Sequence, residues 1–360
     1  MSLFRFVEGS LRQQCKGLSG SLVGNRINFS DSAFQWSDLK RFNVALLGVY
    51  NGKNDGVLSA IRRCFYNLYL HNDRLSIIDL GDIPGDIGTF AEVSEQLATR
   101  GVFTILLNPA KEFVSGIYAQ QVEKNSEAAI AAISARAELD SLSGFFAAKD
   151  TRLSRYSLLA YQTYFTDPND LKQLEKQGCE FMRLGMIRSK ITDAEPILRD
   201  ARVLTVNLNS ARFCDGGVET FISPNGLYAE ELCQLAWYAG KADLLDLCML
   251  TGFTSDSITE IAAQLTAQVI WHLAEGYSAR RKELPTDSNL KRFIVDRGKA
   301  GEELVFFQSN VTGRWWMSVP VQGEIESYVV IACTYDDYQK ACAHDVPARW
   351  LFYYQKLNGL

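Results

Sequence analysis

The stretch RVLTVNLNSARFCD, residues 202–215, joins a short apolar run to a set of polar side chains. The near-continuous hydrophobicity of residues 203–208 is typical of a strand that is covered on both faces of a sheet. Asn209, Arg212 and Asp215 follow it in a polar loop. The stretch therefore predicts a strand of a parallel sheet with polar groups at its carboxyl end, where ligands bind in open α/β sheets.

Similar apolar runs occur along the chain on both sides of this stretch. They cover residues 44–50, 75–80, 102–107, 128–133, 157–161, 181–184 and 244–250. Helical stretches separate them, which indicates βαβ units with right-handed crossovers. The predicted fold class is α/β: a three-layer α/β/α sandwich with a mainly parallel sheet of about eight strands, plus a small β-rich C-terminal appendage.

The predicted domain organisation has three parts. Residues 1–40 form a polar N-terminal arm, residues 41–285 form the α/β domain, and residues 286–360 form the appendage. In the appendage, EELVFFQSN, GRWWMSVPV and SYVVIACTY predict three antiparallel strands, followed by a short helix and the aromatic tail ARWLFYYQKL. The aromatic side chains of the appendage either form a binding surface or attach it to the main domain or to another subunit.

Composition and charge exclude several classes of function. The net charge is −5, and the densest basic run, Arg280-Arg281-Lys282, ends a predicted helix, where cations are favoured, so no nucleic-acid partner is expected. No uncharged run approaches the ~20 residues that span a bilayer, and we expect no membrane partner. The eight cysteines include no Cys-x-x-Cys pair, and several lie in apolar runs. This usage is typical of reduced thiols in a cytoplasmic protein.

Four pieces of the sequence, taken in order, resemble the arginase-type ureohydrolases, a superfamily of arginase, agmatinase and formimidoylglutamase. They are the DLGD turn at residues 79–82, the segments YQTYFTDPNDLKQLEKQGCEFMRLGMIR and AEPILRDARVLTVNL at residues 161–188 and 194–208, PNGLYAEEL at residues 224–232, and EGYSARRKE at residues 275–283. The second of these pieces is most similar to a formimidoylglutamase-like subgroup. The resemblance covers roughly residues 40 to 285 and implies the arginase-like fold.

The resemblance implies a site of two Mn²⁺ ions bridged by a hydroxide, which attacks a guanidinium or amidine carbon. The family supplies the metal ligands from three motifs, and this chain departs from all three. The ligand positions that differ carry Lys111, Ser134, Arg136, Glu138, Asn207 and Asn209. Only one of them is a carboxylate, and no histidine lies between His71 and His272.

The charge of these former metal-site positions argues against the cofactor. Lys111 and Arg136 with Glu138 sum to a net charge of +1, whereas two Mn²⁺ ions require several carboxylates. A unit charge about 4 Å away in a partly buried setting is worth ~4 kcal/mol. The sequence therefore predicts a cleft that repels cations and holds no metal or other cofactor. We further predict that Lys111 and Arg136 pair with Glu138 and fill the volume that the metals would occupy.

Three functions remain open at this point, and no catalytic residue is assigned. The first is a non-catalytic binding or scaffold protein that forms homo-oligomers, and the second is a hydrolase of C–N bonds in guanidino or formimino substrates with an atypical site. The third is a different enzyme that uses the cleft for an anion or zwitterion. Glu231, Arg212 and Asp215 are candidates for binding a small guanidino or anionic ligand. Glu231 equally suits the start of a helix, where the dipole favours a carboxylate.

Overall fold

The described residues form two separate sheets, one of nine strands and one of four. The computed structural model describes residues 3–52, 55–125, 127–146, 154–253, 258–283, 290–296, 303–321 and 327–359. The larger sheet forms the α/β domain, and the smaller sheet forms the C-terminal part. The predicted fold class is confirmed.

Every neighbouring pair of strands in the larger sheet is parallel. The strands are β1 (Asn28–Phe29), β2 (Val44–Tyr50), β3 (Ile77–Pro84), β4 (Phe103–Leu107), β5 (Ala129–Ile133), β6 (Arg155–Tyr161), β7 (Glu180–Arg183), β8 (Val203–Asn207) and β9 (Leu247–Thr251). Their order across the sheet is β1-β3-β2-β4-β9-β8-β5-β6-β7. The eight predicted apolar runs correspond to β2 through β9, and the two-residue β1 adds a ninth strand at one edge.

Helices cover both faces of this sheet. In chain order the α-helices are α1 (Gly9–Cys15), α2 (Val23–Arg26), α3 (Asp55–Tyr66), α4 (Ile87–Ala98), α5 (Lys111–Lys124), α6 (Leu139–Phe146), α7 (Pro168–Lys176), α8 (Leu184–Ser189), α9 (Glu195–Asp200), α10 (Ala229–Gly240), α11 (Glu260–Ser278), α12 (Tyr335–Cys342) and α13 (Ala348–Asn358). Helices α3 and α8–α11 pack on one face, and α4–α7 pack on the other, each over its own apolar core. No helix within the described ranges is long and apolar enough to cross a membrane.

The DLGD segment, expected from the resemblance to be a turn, lies within β3 and is part of a buried charge network. Arg62 donates to both carboxylate oxygens of Asp79, at 2.8 and 3.1 Å, and its third nitrogen lies 2.7 Å from Asp82 Oδ1. The hydroxyl of Tyr66 donates to Asp79 at 2.7 Å. The main chain of Asp82 exchanges two hydrogen bonds with that of Arg5. This part of β3 therefore holds the N-terminal segment against the sheet through the bridge between Arg5 and Asp82.

The C-terminal part is a four-stranded antiparallel sheet with two helices packed against it. Its strands are β10 (Leu290–Val295), β11 (Leu304–Ser309), β12 (Trp315–Val321) and β13 (Ser327–Cys333). The predicted number of three strands is wrong because β10, LKRFIV, carries two charges and was not recognised as a strand. The aromatic tail forms α13, since Trp350, Tyr353 and Leu357 recur at helical spacing and are buried.

Arginine side chains attach this part to the α/β domain. Arg349 donates to Glu180 at 2.8 Å and to Asp200 at 3.1 Å. The guanidinium of Arg199 lies over the ring of Trp316, 4.7 Å from its centroid. This contact indicates that the side chain of Trp316 attaches the C-terminal part to the α/β domain and does not form a binding surface.

Candidate functional site

A cavity of about 400 Å³ opens at the carboxyl edge of the larger sheet. Its walls include residues at or just beyond the ends of the neighbouring strands β4, β9, β8 and β5. Its volume lies within the range typical of small-molecule sites. The cavity is where the sequence predicts a ligand site, beyond the carboxyl ends of parallel strands.

The former metal-site positions all line this cavity. Lys111 is the first residue of α5, and Asn207 is the last residue of β8. The others lie in the loops after β5 and β8, and they are Ser134, Arg136, Glu138 and Asn209. Segments far apart in the chain are thus brought together as the resemblance implied.

Hydrogen bonds within the cavity wall occupy the oxygens of both asparagine side chains. Asn207 Oδ1 accepts the backbone N–H of Asn209 at 3.0 Å, and Asn207 Nδ2 donates to Glu138 Oε1 at 3.1 Å. Asn209 Oδ1 accepts the backbone N–H of Ala135 at 3.0 Å and lies 3.2 Å from the hydroxyl of Ser134. An amide oxygen is the atom of asparagine that ligates a cation, and both are already engaged.

The charged side chains of the cavity only partly follow the prediction. Arg136 Nε lies 3.8 Å from Glu138 Oε1, and the guanidinium also lies over the ring of Phe221, 5.4 Å from its centroid. Lys111 is exposed and pairs with no acidic residue in the described part of the chain. The predicted pairing is therefore confirmed for Arg136 and wrong for Lys111. The prediction that these side chains fill the volume is also wrong, because the cavity remains open.

The donor set of the cavity does not fit a dinuclear manganese centre. Its described wall offers one carboxylate, on Glu138, together with the cations of Lys111 and Arg136. Across the described residues, no group of three or more His, Cys, Asp or Glu side chains is placed to hold a metal ion. Mn²⁺ is a hard cation that prefers carboxylate, carbonyl and water oxygens, which this wall supplies too sparsely.

Five side chains of the wall have polar groups that make no hydrogen bond to another described residue and that are accessible from the cavity. They are the amide of Asn108, the Nδ2 group of Asn209, and the hydroxyls of Ser141, Tyr156 and Thr251. A few polar groups that face a cavity fix the orientation of a bound small molecule. A wall with five such groups is suited to a polar ligand or to waters that a ligand displaces.

Two tyrosines contribute neutral hydroxyls to the cavity. Burial raises the pKa of Tyr118 and of Tyr156, so both phenols stay protonated in the ordinary pH range. The Tyr118 hydroxyl lies 2.6 Å from Thr205 Oγ1. This part of the wall thus offers hydrogen bonds without charge, and the charge of the described wall is that of Lys111, Arg136 and Glu138.

Some lining residues are not among the site residues predicted from the sequence. Asn108 and Thr251 directly follow apolar runs, and Tyr118 lies seven residues after Lys111, which is two helical turns on the same face. Those spacings are signals that identify them. Phe221 lies in a loop without periodicity, and the sequence carries no signal for it.

Gly252 makes room for the side chain of Asn207. Its φ is +101°, and a Cβ atom there would lie 2.4 Å from Asn207 Oδ1. We expect Gly252→Ala to lower the free energy of unfolding by about 2–4 kcal/mol, because left-handed strain and overpacking add. Chemical denaturation measures this loss.

Gly101→Ala is the matched control for this prediction. Gly101 also has a positive φ, +67°, but no atom within 4 Å of the added Cβ. It should lose only about 1–2 kcal/mol, the cost of the left-handed conformation alone. Equal losses for the two variants would show that the contact with Asn207 does not constrain the site.

The three candidates for ligand binding lie outside the described wall of the cavity. Glu231 accepts the backbone N–H of Tyr228 at 2.8 Å and lies 3.7 Å from Arg188 Nε. Arg212 donates two hydrogen bonds to Asp215, at 2.8 and 2.9 Å, and lies over the ring of Tyr228. Glu231 thus caps the start of α10, and Arg212 and Asp215 form an ion pair with each other.

Comparisons with known proteins find similarity only at the level of structure. No protein-family model matches the chain, and no curated protein matches it in sequence. Formimidoylglutamase from Bacillus subtilis superimposes with a TM-score of 0.59 at 13% identity, covering 78% of this chain and 96% of that one. Formiminoglutamase from Trypanosoma cruzi, in a structure with Mn²⁺, gives a TM-score of 0.56 at 14% identity, covering 69% and 97%.

Arginase from Bacillus caldovelox is also similar to this chain in structure. It superimposes with a TM-score of 0.51 at 14% identity, covering 65% of this chain and 98% of that one. At these identities, the likeness shows the fold. The chain therefore has the arginase-type ureohydrolase fold, and its described cavity wall lacks a set of metal ligands.

Proposed function

We propose that this protein, which has the arginase-type ureohydrolase fold, binds a small polar organic molecule without a metal and without hydrolysing it. The observation that carries the proposal is the composition of the cavity wall. It combines an open volume of about 400 Å³ with polar side-chain groups that face the cavity and make no hydrogen bond to another described residue. Cavities with convergent unpaired polar groups are the usual form of small-molecule sites.

The same wall is poorly suited to hydrolysis of a guanidino or formimino group. Attack by water requires a base or a metal to activate it. Glu138 already accepts from Asn207 and lies beside Arg136, and no histidine or cysteine occurs in the described wall. The positive charges of Lys111 and Arg136 also disfavour a cationic guanidinium. These features support binding over catalysis.

A thermal-unfolding screen with matched activity assays tests the proposal. Small carboxylates, phosphates and guanidino compounds are each added with and without Mn²⁺. We expect at least one organic compound to raise the Tm equally in both conditions, since a ligand at 100 times its Kd adds about 2.7 kcal/mol of stability. Arginine, agmatine and formiminoglutamate should remain unhydrolysed in either condition.

Mn²⁺-dependent hydrolysis of any of these three substrates would contradict the proposal and favour the atypical hydrolase. A screen in which no compound changes the Tm would argue against small-molecule binding. The homo-oligomer and the cytoplasmic location stay predictions.

A further inference from the structure

We infer that the ligand is an organic monocarboxylate with a flat apolar body, and that its carboxylate lies at the start of α5 near Lys111 and Arg136. The inference rests on the proposed binding function and adds the chemical class and orientation of the ligand. An anion would then occupy the region where the resemblance implies metal cations. Four features of the cavity support this inference.

The first feature is the exposed start of α5. Ala110 is its N-cap residue and provides no side-chain cap. The backbone N–H groups of Lys111, Glu112 and Phe113 have no acceptor among the described residues. Both Ala110 and Lys111 line the cavity. Free N–H groups at the positive end of a 14-residue helix favour an anion.

The second feature is independent of the helix and consists of two buried amides. Asn108 is 9% exposed and Asn209 is 3% exposed, and both line the cavity. The amide of Asn108, three residues before the first residue of α5, has no described partner, and neither does Asn209 Nδ2. Asn108 has a φ of +58°, in the left-handed region that asparagine tolerates. Amide N–H groups placed in this way can donate to carboxylate oxygens.

The third feature is the excess of positive charge. Arg136 has one carboxylate neighbour, Glu138, at 3.8 Å, and Lys111 has none among the described residues. Hydrogen bonds to ionised groups are roughly twice as strong as those between neutral groups. A carboxylate between these cations would balance the charge of the wall.

The fourth feature is the apolar part of the wall, which defines the rest of the ligand. Val114, Ile133 and Phe253 line the cavity together with the rings of Tyr156 and Phe221. Phe221 packs edge-on against Phe165, with ring centroids 4.8 Å apart. Aromatic side chains hold flat apolar groups by stacked or edge-to-face contacts.

Three probes of nearly equal size test the charge preference directly. Benzoate, benzamide and benzamidine share one ring and carry a negative, a zero and a positive charge. Ligand-detected NMR titrations of the full chain measure their binding. We expect benzoate to bind at least about tenfold more tightly than benzamide, and benzamidine to show no binding.

Variants of α5 and the loop after β5 locate the carboxylate. Lys111→Gln and Arg136→Gln should each weaken benzoate binding about tenfold. Lys124→Gln, at the exposed opposite end of α5, is the matched control and should leave binding unchanged. Lys111→Glu should reverse the preference, so that benzamidine binds better than benzoate.

Two results would overturn the inference. Tighter binding of benzamidine or benzamide than of benzoate to the unchanged chain would exclude an anion site, while the binding function could still be shown by the thermal screen. Absence of binding by all three probes would exclude the flat monocarboxylate as the ligand class. Failure of the proposed function is recognised separately, by Mn²⁺-dependent hydrolysis or by a screen without any stabilising compound.

Discussion

Arg62→Met is expected to destabilise the protein by about 3–5 kcal/mol, because it leaves buried carboxylates without their cation. The side chain of Asp79 is fully buried, and that of Arg62 is 3% exposed. Burial opposes the charge on Arg62, yet Asp79 and Asp82 raise its pKa well above the ordinary arginine value. The guanidinium therefore stays charged at any ordinary pH. Urea denaturation followed by circular dichroism measures the loss.

Arg63→Met is the matched control, one residue along the same helix. The side chain of Arg63 is 52% exposed, and its partner Glu260 lies 3.6 Å away on the surface. An exposed pair of this kind contributes about 0–1 kcal/mol. Equal free energies of unfolding for Arg62→Met and Arg63→Met would contradict this prediction. They would show that the buried network of Arg62, Asp79 and Asp82 does not stabilise the fold.

A second substitution distinguishes two causes of the lost stability, namely the loss of the ion pair and the loss of packing. In Arg62→Met combined with Asp79→Leu, no unpaired carboxylate remains at Asp79. Because an apolar replacement of both partners is often tolerated, we expect the double variant to recover part of the stability that the single variant loses. A double variant less stable than the single variant would assign the effect to packing.

Rebuilding the six former metal-site positions is expected to create Mn²⁺ binding, with an affinity increased by more than about 100-fold. The substitutions are Lys111→His, Ser134→Asp, Arg136→His, Glu138→Asp, Asn207→Asp and Asn209→Asp. They follow the ligand types that the resemblance implies. The charge at these positions changes from +1, the sum of two cations and one carboxylate, to −4 with four aspartates and neutral histidines.

The partial variant Asn207→Asp with Asn209→Asp is the control for this rebuilding. It adds two carboxylates but keeps the cations at Lys111 and Arg136. We expect it to bind Mn²⁺ much more weakly than the full set, as measured by isothermal titration calorimetry. A folded six-position variant without Mn²⁺ binding would show that these side chains do not converge on one point.

The main sheet was predictable because its strands are buried on both faces. Continuous apolar runs such as residues 44–50 and 203–208 identify such strands without an alignment. The exposed parts were less predictable. Strand β10, LKRFIV, has two adjacent charged residues followed by three apolar ones, and the aromatic composition of α13 obscures its helical spacing. The structures of β10 and α13 depend on their contacts with the rest of the C-terminal part.

The cavity was predictable in position and only partly in content. The polar residues after β4, β5 and β8 had to meet at one edge of a parallel sheet, and they do. Which side chains pair depends on the distances between loops, and those distances are absent from the sequence. For this reason the sequence does not predict that Lys111 lacks an acidic partner among the described residues, that the volume stays open, or that Phe221 lines the wall.

A Mn²⁺ titration of the unchanged protein, followed by electron paramagnetic resonance, tests the central claim most directly. The claim is that the cavity, which we propose binds an organic ligand, does not hold Mn²⁺. We expect the intensity of the free Mn²⁺ signal to be the same in the presence of the protein as in buffer alone. Loss of the signal of about two Mn²⁺ ions per chain would contradict the account, because the cavity would then hold the metals of the implied centre.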